Sequence, residues 1–137
     1  GCDASSLSRG AYVIGDPAKS AELIIMASGS EVSLAVDAAA ALAGRGIAAR
    51  VVSFPSWELF EKQSPEYRES VLPPSLATRV VIEAGIAMGW ERYAGSSALF
   101  ITLERFGSSA PAGVLAEKFG FSASSVVEKI LAFLNRP

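Results

Sequence analysis

The chain has 137 residues, one cysteine and no histidine, a size that closes one hydrophobic core without disulfides. The missing histidine excludes a Ser-His-Asp or Cys-His relay and any histidine-ligated zinc or haem. Twelve basic residues against fourteen acidic ones give −2, scattered singly, which excludes a nucleic-acid footprint. Apolar runs of about five residues fall far short of the roughly 20 that cross a membrane. Proton transfer would fall to Lys, Glu, Asp, Tyr or Cys2 after large pKa shifts. The chain reads as unlike a self-contained enzyme.

The first ten residues, Gly1 to Gly10, are small and polar, so no secretory signal is expected there. A lone Cys2 suits a reducing, cytoplasmic setting. Residues 1–9 read as a flexible lead-in or remnant, and residues 10–137 as one domain. Ala11–Ile14 is a predicted strand, stopped by the turn Gly15-Asp16-Pro17. Leu23–Ala27 is a continuous apolar run, as a strand covered on both faces requires. Ser28-Gly29-Ser30 then turns the chain into a helix, with Ser30 as N-cap and Glu31 at the positive end of the dipole. Its inward face is predicted as Val32, Ala35, Val36, Ala39, Leu42 and Ala43, although alanines make the helix apolar on nearly every side. Gly44-Arg45-Gly46 ends it, and Arg50–Phe54 is the next strand. This strand-helix-strand unit predicts parallel pairing.

Ser56 caps a short predicted helix over 57–61, and Pro65 opens another that Pro73-Pro74 stops. Arg79–Glu83 and Ala98–Ile101 are the fourth and fifth strands, with one or two helical turns between Gly85 and Gly95. A helix from Pro111 to Phe119 is followed by a last one capped by Ser122, with Val126, Val127, Ile130, Leu131 and Leu134 inward. The sum is α/β: a three-layer α/β/α domain around a mostly parallel, Rossmann-like sheet of about five strands.

Three loops carry the candidate chemistry. Ser28, Gly29 and Ser30 follow a buried strand and open a helix, where free N–H groups cradle an anion; a plain capped turn is the other reading, favoured by the missing Gly-X-Gly-X-X-Gly and by the nearby Glu31. Glu83 ends a strand, as a raised-pKa carboxylate or as a loop-bracing acceptor. Glu104 to Pro111 offers Arg105 as a bidentate anion clamp and Ser108 as a hydroxyl donor, or else a packed interface loop. Trp57, Phe60, Trp90 and Tyr93 read as core or domain-interface anchors before a stacking platform. No metal-ligand spacing stands out, so no catalytic, cofactor-binding or metal residue is assigned.

The order of short motifs says more. Ala27-Ser28-Gly29-Ser30-Glu31-Val32 is followed by Arg50-Val51-Val52-Ser53-Phe54-Pro55-Ser56 and Tyr67-Arg68-Glu69-Ser70-Val71-Leu72-Pro73. Then come Val81-Ile82-Glu83-Ala84-Gly85, Gly89-Trp90, Arg105-Phe106-Gly107-Ser108-Ser109-Ala110-Pro111-Ala112 and Phe119-Gly120-Phe121-Ser122. From about Arg9 to Leu134 this closely resembles the C-terminal domain of the transketolases. Glu104 stands where that family more often has an aspartate or a small polar residue, and Gly1 to Ser8 match nothing in it.

The resemblance implies the third α/β domain of a homodimeric transferase of the pentose phosphate pathway. Such an enzyme uses thiamine diphosphate with Mg or Ca to move a two-carbon ketol unit between sugar phosphates. It implies a sheet with one antiparallel strand, assigned to Ala11–Ile14, and, as partners, the upstream cofactor-binding domains and the second subunit. The family's Gly-Asp-Gly…Asn-Asn metal motif has no match here: the chain has only Gly15-Asp16-Pro17, and Asn135 is its sole asparagine. The fragment alone is therefore expected to be inactive, a structural and assembly domain. Its alanine-rich helix and aromatic loops are expected to meet the other domains or subunit. Dihydroxyacetone synthase and deoxyxylulose phosphate synthase are related alternatives, against which Tyr67–Pro73 favours the transketolase branch. A reading from another class is a regulatory module binding a small anion or nucleotide near Ser28–Ser30 or Arg105.

Overall fold

The computed structural model describes residues 9–16, 21–29, 31–76, 78–83, 90–95, 98–102 and 122–135. Among them are strands β1 (Tyr12–Gly15), β2 (Leu23–Ala27), β3 (Ala49–Ser53), β4 (Arg79–Glu83) and β5 (Leu99–Thr102). They form one sheet in the order β1-β3-β2-β4-β5. β1 runs antiparallel to β3, and every other pair is parallel. This is the predicted sheet, with the predicted odd strand at its edge.

All five residues of β2 are buried, because β2 is central and helices cover both faces of the sheet. The pleat divides its side chains. Leu23, Ile25 and Ala27 join one core cluster, and Ile24 and Met26 join a second on the other side. β4 repeats the pattern, with Val80 and Ile82 in the first cluster and Val81 in the second. A two-sided parallel sheet demands such continuous apolar strands, and the period of two sorts them.

Helices α1 (Glu31–Ala43) and α5 (Ala123–Phe133) cover the first face, packed on each other. α2 (Trp57–Glu61), α3 (Pro65–Val71) and the single turn α4 (Glu91–Ala94) lie with the second cluster. The caps follow the residues. Ser56, Ser64 and Ser122 accept from Leu59 N, Tyr67 N and Ser125 N, and Pro65 occupies the first turn of α3. At the end of α1, Gly46 N–H donates to Ala43 O at 3.0 Å and Ile47 N–H to Leu42 O at 3.0 Å. With Gly46 at φ +81°, this is a Schellman cap. Ile47 and Leu42 then share the first core cluster, the apolar contact that accompanies such a cap.

The inward face of α1 differs from the expected one. Ala35, Ala38 and Leu42 are buried, whereas Val36 is 43% exposed and Ala43 is exposed. The i, i+3, i+7 spacing of the buried set is helical; an alanine-rich helix simply lacks a polar side to set its rotational phase. α5 shows the contrast, since its buried Val126, Val127, Ile130 and Leu131 are the predicted ones. The segments predicted as the 104–111 loop and the 111–119 helix, and the N-cap Ser30, lie outside the described residues.

The aromatic residues of the second face belong to this domain's own core. Phe54, Phe60, Trp90 and Tyr93 are all buried. Phe54 meets Tyr93 and Phe60 at ring-centroid distances of 4.6 and 4.9 Å, and Trp57 meets Trp90 at 5.3 Å. Of the two readings of these aromatics, core or domain-interface anchors, the core one holds within this chain: they close the sheet's second face from within. Among the described residues no helix is long and apolar enough to cross a membrane.

Candidate functional site

In this strand order, the connection leaving β2 leads to β3 on one side. The chain then passes back over β2 to β4 and continues outward to β5. The C-terminal ends of β2 and β4 thus flank the point where the winding reverses, the usual ligand crevice of an open α/β sheet. Ala27 pairs with Ile82, so Ser28 and Glu83 each stand one residue beyond a matched pair. Both continue the pleat toward the second face. Ser28 Oγ donates to Glu83 Oε2 at 3.1 Å.

Beside them Phe54 follows β3, and its N–H donates to Ala27 O at 2.9 Å. Phe54, Trp57 and Trp90 wall a notch of about 360 Å³, and Pro55, Ser56, Glu58, Ser28 and Glu83 complete it. Gly29, at φ +60°, bends the chain from β2 into α1. Glu31 N–H and Val32 N–H donate to Ser28 O and Gly29 O at 3.2 and 3.3 Å.

Three of the residues singled out in the sequence, Ser28, Gly29 and Glu83, thus come together at the switch point. Ser30, Arg105 and Ser108 lie outside the described residues. The Ser28 hydroxyl is committed to the Glu83 carboxylate, and Glu58 and Glu83 give the walls negative charge. Its only base among the described residues is the Glu83 carboxylate, far weaker than the imidazole or amine that activates a serine nucleophile, so Ser28 is an ordinary hydroxyl. Among the described residues no three carboxylate or thiol groups gather to hold a metal ion.

Two arginines escaped the sequence reading. Arg50 makes a bidentate pair with Asp16, at 2.7 and 3.1 Å, and donates from Nη1 to Ser70 O at 2.8 Å and Val71 O at 3.2 Å. Arg79 donates to the main-chain oxygens of Leu72, Pro73, Leu76 and Tyr93. Burial lowers its guanidinium pKa from the ordinary arginine value. Only the odd polar residue opening an otherwise apolar strand, Arg79 before Val80-Val81-Ile82, signalled this in the sequence. Tyr67, in the motif run, ties α3 to the strand entry through its hydroxyl, which donates to Ala11 O at 2.7 Å.

Residues 10–122 match the family model described as the transketolase-like TK C-terminal domain. The chain belongs to that family. The transketolase of Halalkalibacterium halodurans is 49% identical over 98 residues, which is 72% of this chain and 15% of that protein. A solved transketolase from Leishmania mexicana superposes with a TM-score of 0.83 at 46% identity, covering 93% of this chain and 18% of its own. Another, from Pichia stipitis in complex with sedoheptulose-7-phosphate, gives 0.88 at 38% identity, covering 98% and 19%. This transketolase C-terminal domain thus spans about 15% of the length of the curated relatives it matches. The seven motif runs quoted above lie within the matched residues, and the sheet with its antiparallel edge is the family's fold.

Proposed function

We propose that the chain is the third, structural domain of a thiamine diphosphate-dependent transketolase subunit. The parent enzyme moves a two-carbon ketol unit from a ketose phosphate to an aldose phosphate, as a cytoplasmic homodimer of the pentose phosphate pathway. The supporting observation is the pairing of family membership over residues 10–122 with a length of only 15% of the relatives. The sugar phosphate bound to the Pichia stipitis relative supports the substrate class.

Thiamine diphosphate with its Mg or Ca does not fit the described site. A metal-bound diphosphate asks for hard oxygen ligands on the cation and donors for the phosphates. The switch-point notch has Glu58 and Glu83 among its lining residues, whose charge opposes an anion, and the sole asparagine, Asn135, follows α5 as its left-handed end at φ +60°. We therefore assign cofactor and substrate to parts of the parent outside this chain, and assembly to this domain. In this reading the Ser28–Glu83 bond locks the two strand ends at the switch point.

Titration of the 137-residue chain with thiamine diphosphate and Mg²⁺, followed by calorimetry, tests this. The expected result is no saturable heat up to about 1 mM ligand, a ceiling equal to about −4 kcal/mol of binding. Micromolar binding, or turnover of a ketose phosphate with an aldose phosphate by this chain alone, overturns the division of labour.

A further inference from the structure

The chain enters the sheet along Arg9-Gly10-Ala11, just before β1, and both α2 and α3 hold it there. Gly10 and Ala11 are buried, whereas Arg9 is exposed. The Gly10 carbonyl accepts from Ser56 N–H at 3.0 Å, and the Ala11 carbonyl accepts from the Tyr67 hydroxyl at 2.7 Å. The Arg9 guanidinium stands over the Tyr67 ring, 5.0 Å from its centroid, within cation–π reach. The boundary of a domain is ordinarily an exposed stretch that few contacts cross. This entry is fastened at each of its residues.

The fastening is built into the starts of the two helices. Ser56 caps α2: its Oγ accepts from Leu59 N–H at 3.2 Å and its carbonyl from Phe60 N–H at 3.2 Å. The residue that begins α2 therefore also holds Gly10, and the two backbones meet because Gly10 carries no Cβ. Tyr67 lies in the first turn of α3, where Ser64 Oγ accepts from its N–H at 3.1 Å. Its ring lies 6.4 Å from that of Phe60 in the second core cluster. With the backbone held by a cap and the ring by the core, the hydroxyl has one direction, toward Ala11 O. A phenylalanine would fill the same core space, so packing alone does not call for this hydroxyl. Tyr67 opens the Tyr67–Pro73 run that marks the family resemblance, and the hydrogen bond gives its phenol a task.

We propose that Ser56 and Tyr67 latch the entering chain at Gly10 and Ala11, making the junction before β1 a fixed joint instead of a flexible tether. Polypeptide preceding Arg9 is then set in one direction relative to α2 and α3. That it includes the upstream domains of a parent enzyme rests on the function proposed above; the latch itself does not.

Tryptic cleavage of the Arg9–Gly10 bond in the 137-residue chain, followed by mass spectrometry, tests this. A protease needs the residues around the bond extended and free, so the cut reports how often the latch opens. The bond is expected to be cut at least about 100-fold more slowly than in a peptide of residues 5–14, the combined scale of two hydrogen bonds and a cation–π contact. Tyr67→Phe keeps the ring under Arg9 and is expected to speed the cut about fivefold, the scale of one hydrogen bond. Cleavage after Arg45, exposed just past α1, is expected to keep its wild-type rate in that variant. A substitution that merely weakened the whole fold would speed both cuts alike. Cleavage after Arg9 as fast as in the peptide overturns the proposal. So does a Tyr67→Phe chain in which the ratio of the two cuts equals that of wild type.

Discussion

Gly10 sits at φ +83°, and a Cβ built there would overlap the Phe60 amide nitrogen and the Ser56 carbonyl oxygen. Its carbonyl accepts from Ser56 N–H at 3.0 Å, so the entry of the chain lies directly on α2. Gly46 has nearly the same φ, +81°, yet nothing lies within 4 Å of a Cβ there. The two positions separate backbone strain from steric exclusion. Gly46→Ala is expected to cost about 1 kcal/mol, the left-handed penalty alone. Gly10→Ala adds a clash with main chain that cannot swing aside, and about 3 kcal/mol or more is expected. Urea unfolding of the two variants checks the ordering; equal losses would show that Gly10 is not packed against α2 as described. Neither difference is legible in the sequence, where both are glycines beside a polar or basic residue. Which atoms approach a glycine is a property of distant segments, here Ser56 to Phe60.

Among the elements, those that could be read had one dominant signal. Leu23–Ala27 and Arg79–Glu83 were predicted with the bounds they have, because a continuous apolar run bounded by polar turns has few other fates in an α/β chain. The phase of α1 could not be read. Leu34, Val36, Ala39 and Ala43 are as apolar as the buried Ala35, Ala38 and Leu42, and only contact with α5 and the sheet decides among them. α5 lies at the other extreme. Its stripe is bulky and its cap is explicit, with Ser122 Oγ accepting from Ser125 N–H at 3.3 Å. Ser122→Ala is expected to lower stability by about 1 kcal/mol, and Ser122→Asp to restore most of it, since aspartate both caps and complements the helix dipole. Thermal melts of the two variants decide this. If aspartate fails to recover what alanine loses, the serine acts through its contact with Ser125 Oγ instead of through the cap.

The candidate site becomes visible only for the molecule as a whole. Ser28 and Glu83 could each be placed at a strand end from the sequence, but their 55-residue separation closes only because the chain passes back over β2 before forming β4. The aromatic cluster has the same origin: Phe54, Trp57, Phe60, Trp90 and Tyr93 come from separate connections that one sheet face gathers. That gathering bears on autonomy. The chain is a small part of its relatives, yet helices of its own pack on both faces of its sheet. Every strand feeds both core clusters, the edge strand β1 through Ile14 on one face and Val13 on the other, so loosening one face removes the support of the other. We therefore expect the 137-residue chain to unfold in one cooperative step. Both tryptophans, Trp57 and Trp90, belong to the second face, so their fluorescence reports that layer alone, whereas far-UV circular dichroism also registers α1 and α5 on the first. Urea transitions followed by the two signals should coincide, with a slope of about 1–3 kcal/mol per molar urea. A fluorescence change that precedes the loss of helix would show the aromatic layer melting on its own, and would return those residues to the role of anchors for a neighbouring domain.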